Sequence, residues 1–284
     1  MLAQLIDLLK GYKNPRDWVK NILWRMPRTI STIDVVFVVG APRSGTTLLQ
    51  RILSVHSGFF TIQGETGLFC KENLFDLKRR HFGLPEAVVE NLFAESADVV
   101  DFFQRCVKLL EARNGGGRFV EKTPQHVLRL PFILKHLPRA HVINLVRDGR
   151  DCYCSARLHK RIPQNSSVER FARYWKRCVM VPIQYKHHPQ ILTVKYEDLV
   201  ADTSTVVCKI MEFLGATMET RQISPEFLGS DERSDTNEFS RLRENIGPRT
   251  VNRWKDELSA TDQAKFAAIA GKLFEYFDYK VDPR

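Results

Sequence analysis

Apolar and polar positions divide the chain into short runs with distinct periods. Leu2, Leu5, Ile6 and Leu9, then Trp18, Ile22 and Trp24, fall among lysines and arginines, a helical pattern broken near Asn14-Pro15. That segment is expected to pack on the body, with a membrane surface as its other resting place. Asp34-Val-Val-Phe-Val-Val39 is a continuous run rich in β-branched residues, which predicts a strand buried on both faces. Gly40 ends it, and helical spacing resumes from Thr46 to Val55. Residues 85–113 place Val88, Val89, Leu92, Phe93, Phe102, Phe103, Val107 and Leu110 at helical intervals, before a turn at Gly115-Gly116-Gly117. A short strand is predicted from Arg118 to Val120, helix from Gln125 to His136, and strand from His141 to Val146. Val168, Phe171, Ala172, Trp175 and Val179 step as a helix, Ile191 to Val194 reads as strand, and Ser204 to Leu214 as helix.

Strands alternating with helices predict an α/β fold, a P-loop-type parallel sheet flanked by helices. Residues 31–284 are read as one domain and residues 1–30 as a helical segment packing on it. No apolar run approaches the ~20 residues of a membrane-spanning helix. Met1 to Lys10 has too short an apolar core, and no cleavage site, for a signal peptide. The 284 residues are 43% hydrophobic and 27% charged, which excludes disorder as the default.

Charge sharpens the picture. Lys and Arg number 43 against 33 Asp and Glu, a net +10 that suits an anionic ligand, a polyanion or an anionic membrane surface. The six cysteines, at 70, 106, 152, 154, 178 and 208, form no CxxC pair and have no His at ligand spacing. They are expected to be buried reduced thiols in a reducing compartment, with no metal site.

The chemistry concentrates in Gly40-Ala-Pro-Arg-Ser-Gly45-Thr46-Thr47, between the first strand and a helix. Its glycines have P-loop spacing, but Thr46 stands where that motif has its lysine. Converging backbone N–H groups and the positive end of the following helix still favour an anion. Without the lysine that reaches the β- and γ-phosphates, triphosphate hydrolysis is disfavoured. The nearby cation is Arg43, and the later strand leads into Arg147-Asp148.

Pro42-Arg43-Ser44-Gly45-Thr46-Thr47 resembles the 5′-phosphosulfate loop of sulfotransferases that use 3′-phosphoadenylyl sulfate (PAPS), in particular the tyrosylprotein sulfotransferase-like and bacterial branch. Asn144-Leu-Val-Arg147-Asp-Gly-Arg-Asp151 with Ser155 resembles the family's 3′-phosphate site, and Glu121-Lys122-Thr123-Pro124 its lysine-bearing strand end. Ile191-Leu-Thr-Val-Lys-Tyr196-Glu-Asp-Leu199 is similar to the segment near the adenine, and Asn252-Arg253-Trp254-Lys255 to the tryptophan motif near the C-terminus. These matches run in family order from about residue 34 to 258.

The resemblance implies in-line transfer of a sulfuryl group from PAPS to an acceptor hydroxyl, with an amine as second choice, through a loose transition state governed by alignment and charge. Arg43, Ser44, Gly45, Thr46 and Thr47 would hold the 5′-phosphate and sulfonate, and Lys122 the oxygen that leaves. Arg147 and Ser155 would select the 3′-phosphate, joined by a cation of the C-terminal segment, taken as Arg249 among Arg241, Arg243, Arg249 and Arg253. Leu48 replaces the tryptophan of the small-molecule branch, so Tyr196 is assigned to the adenine. An acceptor losing its proton needs a base. Glu65 is the first candidate and His126 the second, while His56 is read as structural.

Two other functions compete: a P-loop nucleotide kinase and a non-enzymatic basic module for polyanions. The first needs magnesium and a cation at the triphosphate, and the second has no nucleic-acid motif behind it. Residues 66–118 and 157–170 are expected to shape the acceptor pocket, where Phe69, Phe75, Phe82 and Lys71, Lys78, Arg79 and Arg80 suit a lipid, a glycan or an acidic peptide. With no anchor before the domain, unlike the Golgi enzymes, the expected location is cytoplasmic.

Overall fold

The computed structural model describes residues 22–70, 82–157, 159, 162–224, 226 and 250–280. The expectations for residues 1–21, for Lys71, Phe75, Lys78, Arg79 and Arg80, and for Arg241, Arg243 and Arg249 lie outside the described residues.

Five strands, β1 (Val35–Gly40), β2 (Phe59–Thr61), β3 (Arg118–Lys122), β4 (His141–Val146) and β5 (Ile191–Lys195), form one parallel sheet in the order β2-β3-β1-β4-β5. Every residue of β1 is buried, which is why its sequence is apolar throughout instead of alternating. Phe37 and Val39 face one core, with Phe103, Phe171 and Trp175. Val36 and Val38 face the other, with Leu49, Ile52, Val207 and Ile210. Chain connections leave β1 toward β3 and β2, but leave β4 toward β5. The crevice beyond the carboxyl ends of β1 and β4 is therefore the topological switch point, where such sheets take ligands.

The helices are α1 (Thr46–Ser54), α2 (Glu86–Glu95), α3 (Val99–Asn114), α4 (Leu130–His136), α5 (Gly149–Ala156), α6 (Val168–Ile183), α7 (Tyr196–Ala201), α8 (Thr203–Phe213), α9 (Trp254–Glu257) and α10 (Ala260–Tyr276). The single helical pattern of 85–113 is two helices, because Asp98 breaks it and caps α3 by accepting the Val100 and Asp101 N–H groups. The pattern of 125–136 is a 3₁₀ stretch, Pro124–Arg129, followed by α4 with Pro131 in its first turn. The periodicity missed β2, too short to show alternation, along with α5 and α10.

The end of the N-terminal segment rests on this body. Trp24 stacks on Phe93 with centroids 4.2 Å apart, and the Arg28 and Thr29 N–H groups donate to Asp98 Oδ2. Among the described residues no helix is long and apolar enough to cross a membrane. All six cysteines are free, and four are buried. Burial pushes the Cys106 and Cys178 thiols up to about 12, leaving them inert near neutrality. Cys208 departs from the expectation, since it lies exposed on α8.

Candidate functional site

The loop between β1 and α1 is shaped by two glycines. At Gly40 (φ 156°) a side chain would strike Leu145 O and lie 2.7 Å from Ser44 Oγ. At Gly45 (φ 96°) it would enter the Tyr196 ring, 2.7 Å from Cε2. Arg43 also adopts the left-handed region, with φ 69°. This turn delivers the chain directly into α1, whose first turn carries no acidic residue and no side-chain cap. The N–H groups at that helix start therefore face the crevice with the positive end of the helix dipole behind them.

Two buried polar atoms at this crevice have no hydrogen-bond partner among the described residues, Ser44 Oγ and Arg147 Nε. Unpaired buried donors are costly, and a bound anion would satisfy both. The rest of the Arg147 guanidinium is fixed: Nη1 donates to Arg43 O at 3.1 Å and Nη2 to Thr250 O at 2.6 Å. It lies 4.5 Å from the centroid of the Tyr196 ring, and the Tyr196 hydroxyl bonds Thr250 Oγ1 at 2.7 Å.

Arg43 and Ser155 are brought together, since Arg43 Nε donates to Ser155 Oγ at 3.0 Å, and Nη1 lies 3.1 Å from His159 Nε2. The guanidinium of Arg43 is thus turned toward α5. Asp148 and Asp151 do structural work beside it. Asp148 caps α5 and grips Arg150 at 3.0 and 2.7 Å, while Asp151 accepts the Asn252 and Trp254 N–H groups at 2.8 and 3.0 Å.

On the other side of the loop, Lys122 ends β3 and sits 7% exposed, with Nζ 2.8 Å from Glu65 Oε1. The Glu65 side chain is 41% exposed, open to an incoming molecule. His126 is placed differently. It is fully buried, with Nδ1 2.8 Å from Glu121 Oε2 and the Phe69 N–H aimed at Nε2. Neither ring nitrogen reaches solvent and both face protein partners, which places His126 behind the open Glu65 as a candidate base. The cause is the 3₁₀ stretch after Pro124, which folds His126 back beneath β3 instead of extending it along an α-helix.

Burial alone would raise the Glu121 carboxyl. The His126 ring, Thr66 and Thr123 outweigh it and hold the carboxyl below the ordinary value. In turn Glu121 draws His126 upward against burial. The Phe69 N–H instead favours Nε2 without a proton, and the bond through Nδ1 is the same in both forms.

Sequence reasoning gave no role in this region to His159, Thr250 or Glu121, the last of which it read only as the start of the lysine-bearing strand end. Only Glu121 carried a signal, an acid directly before the lysine at the end of β3. His159 and Thr250 become relevant through contacts with Arg43 and Arg147 that span 116 and 103 residues.

The family model described as "Sulfotransferase family" matches residues 35–220. A putative protein-tyrosine sulfotransferase of Caenorhabditis briggsae is 25% identical over 250 residues, covering 83% of this chain and 86% of that protein. Protein-tyrosine sulfotransferase 1 of Danio rerio is 28% identical over 194 residues, covering 63% of this chain and 52% of that one. Among solved structures, the sulfotransferase domain of the Synechococcus PCC 7002 olefin synthase superposes with a TM-score of 0.65 at 22% identity, over 91% of this chain and 99% of that one. Mouse sulfotransferase SULT7A1, complexed with PAP, gives 0.58 at 16% identity, over 91% and 90%. The matched span holds all five strands, the β1–α1 loop, Glu65, Lys122, Arg147 and Ser155, and on that ground the chain belongs to the sulfotransferase family and is a sulfotransferase enzyme.

Proposed function

We propose that this enzyme takes its sulfuryl group from PAPS and passes it in line to an acceptor hydroxyl. The carrying observation is the pair of buried atoms without a partner among the described residues, Ser44 Oγ and Arg147 Nε, at a crevice with the start of α1 on one side and the Lys122–Glu65 pair on the other. PAPS supplies the sulfuryl group and two phosphates, and these residues fit such anions.

The loop N–H groups, Ser44, Thr46 and Thr47 hold the 5′-phosphate and sulfonate. Arg147, Ser155 and the guanidinium of Arg43 hold the 3′-phosphate, a role for Arg43 that follows from its bond to Ser155. Tyr196 borders the adenine. Glu65 takes the proton of the acceptor hydroxyl as its oxygen bonds to sulfur. Lys122 leaves Glu65 to hydrogen-bond the bridging oxygen, where negative charge grows as the sulfur–oxygen bond breaks. The lysine fills this role without a metal ion. Residues 31–284 act as one catalytic unit, and the buried free thiols support a reducing, cytoplasmic setting.

Calorimetric titration with 3′-phosphoadenosine 5′-phosphate, ADP and ATP, with and without magnesium, tests this reading. The first ligand is expected to bind without magnesium and at least tenfold (~1.4 kcal/mol) more tightly than ADP. Arg147→Ala is expected to erase that gap. Preference for ATP with magnesium would overturn the reading in favour of a kinase. A salt-sensitive background alone would overturn it in favour of polyanion binding.

A further inference from the structure

We propose that Glu121 is a positioning residue that clamps the loop carrying Glu65, so that the general base faces Lys122. The proposal rests on the role given to Glu65 above, and its physical basis is a set of hydrogen bonds around one buried carboxylate.

Glu121 is 1% exposed and precedes Lys122 on β3, while Thr66 follows Glu65. Two contacts therefore run side by side. Lys122 meets Glu65 at 2.8 Å, and Glu121 Oε1 accepts the Thr66 hydroxyl at 2.7 Å and the Thr66 N–H at 3.3 Å. The same oxygen accepts the Thr123 hydroxyl at 2.7 Å, and Oε2 bonds His126 Nδ1 at 2.8 Å. An ionised carboxylate has about four acceptor positions, and this one meets four donor groups.

The loop's backbone ends in that network. The Thr66 N–H reaches Glu121, the Gly67 N–H reaches Thr123 Oγ1 at 3.0 Å, the Leu68 N–H reaches Thr66 Oγ1 at 3.4 Å, and the Phe69 N–H reaches His126 Nε2 at 3.3 Å. Four consecutive N–H groups after Glu65 are thus tied to Glu121 or to side chains it holds. Burying a charge for packing alone is unfavourable. Here the charge defines one position for a loop whose open residue, Glu65, must meet a strand-end lysine.

The test compares the full chain with Glu121→Gln and Thr66→Val, the second being the milder change. Three quantities are measured: hydrogen exchange of the 66–69 amides, affinity for 3′-phosphoadenosine 5′-phosphate, and turnover of PAPS with 4-nitrophenol or water as acceptor. Glu121→Gln is expected to speed exchange at 66–69 at least tenfold and to lower kcat at least tenfold. The KM for PAPS and the nucleotide affinity are expected to stay within twofold. Thr66→Val should move the same quantities less far in the same direction. Unchanged exchange in both variants would overturn the clamp, as would unchanged kcat despite faster exchange. Nucleotide affinity falling in step with kcat would reveal a general structural defect and also overturn it. A wild-type chain that neither binds the nucleotide nor turns over PAPS would sink the proposed function instead, and the exchange result would still decide the clamp.

Discussion

Gly45 has no side chain, yet the site depends on it from two directions. Its φ of 96° is one that a Cβ strains, and the space a Cβ would take is filled by the Tyr196 ring. Gly45→Ala is therefore expected to destabilise the fold by roughly 1–3 kcal/mol in urea unfolding. It should also weaken nucleotide binding in calorimetry by moving the ring that borders Arg147. The spacing of Gly40 and Gly45 was legible in the sequence, because phosphate loops need glycine at those points. That Tyr196 makes Gly45 irreplaceable was not, since 151 residues separate them. Glu65 and His126 make the same point from the opposite side. Both stood as candidate bases, and only burial separates an open carboxylate from an enclosed ring.

At the scale of elements, the segment after residue 249 is held by a short helix that the periodicity did not predict. Gly149–Ala156 reads as polar and glycine-led, and it becomes α5 because Asp148 caps it. From α5, Asp151 accepts the Asn252 and Trp254 N–H groups, and Arg150 stacks 3.5 Å from the Trp254 ring centroid. This brings Thr250 against both Arg147 and Tyr196. Asp151→Ala leaves the buried Trp254 N–H and the part-buried Asn252 N–H without their acceptor and is expected to cost about 1–3 kcal/mol in urea unfolding. Its affinity for 3′-phosphoadenosine 5′-phosphate should fall as well. An unchanged affinity would mean that Thr250 does not contribute to the nucleotide side of the crevice.

For the whole molecule, the net charge of +10 and the buried site make separable predictions. Screening shortens from ~10 Å at 0.1 M salt to ~3 Å at 1 M, which weakens exposed charges far more than buried ones. Raising sodium chloride from 0.1 to 0.5 M is expected to lower nucleotide affinity less than about tenfold, because Arg147 is 5% exposed. Retention on a heparin column should be lost over the same range. Taken by itself, the sequence determined the α/β class, the strand and helix flanking the glycine-rich loop, and that loop's lack of a triphosphate lysine. Those properties are written in neighbouring residues, as period, β-branching and glycine spacing. Only the tertiary structure decided the order β2-β3-β1-β4-β5, the turning of Arg43 toward Ser155, the burial of His126, and the pairing of Glu65 with Lys122. Each of these depends on which distant segments share an edge of the sheet, and on whether water reaches a side chain once they do.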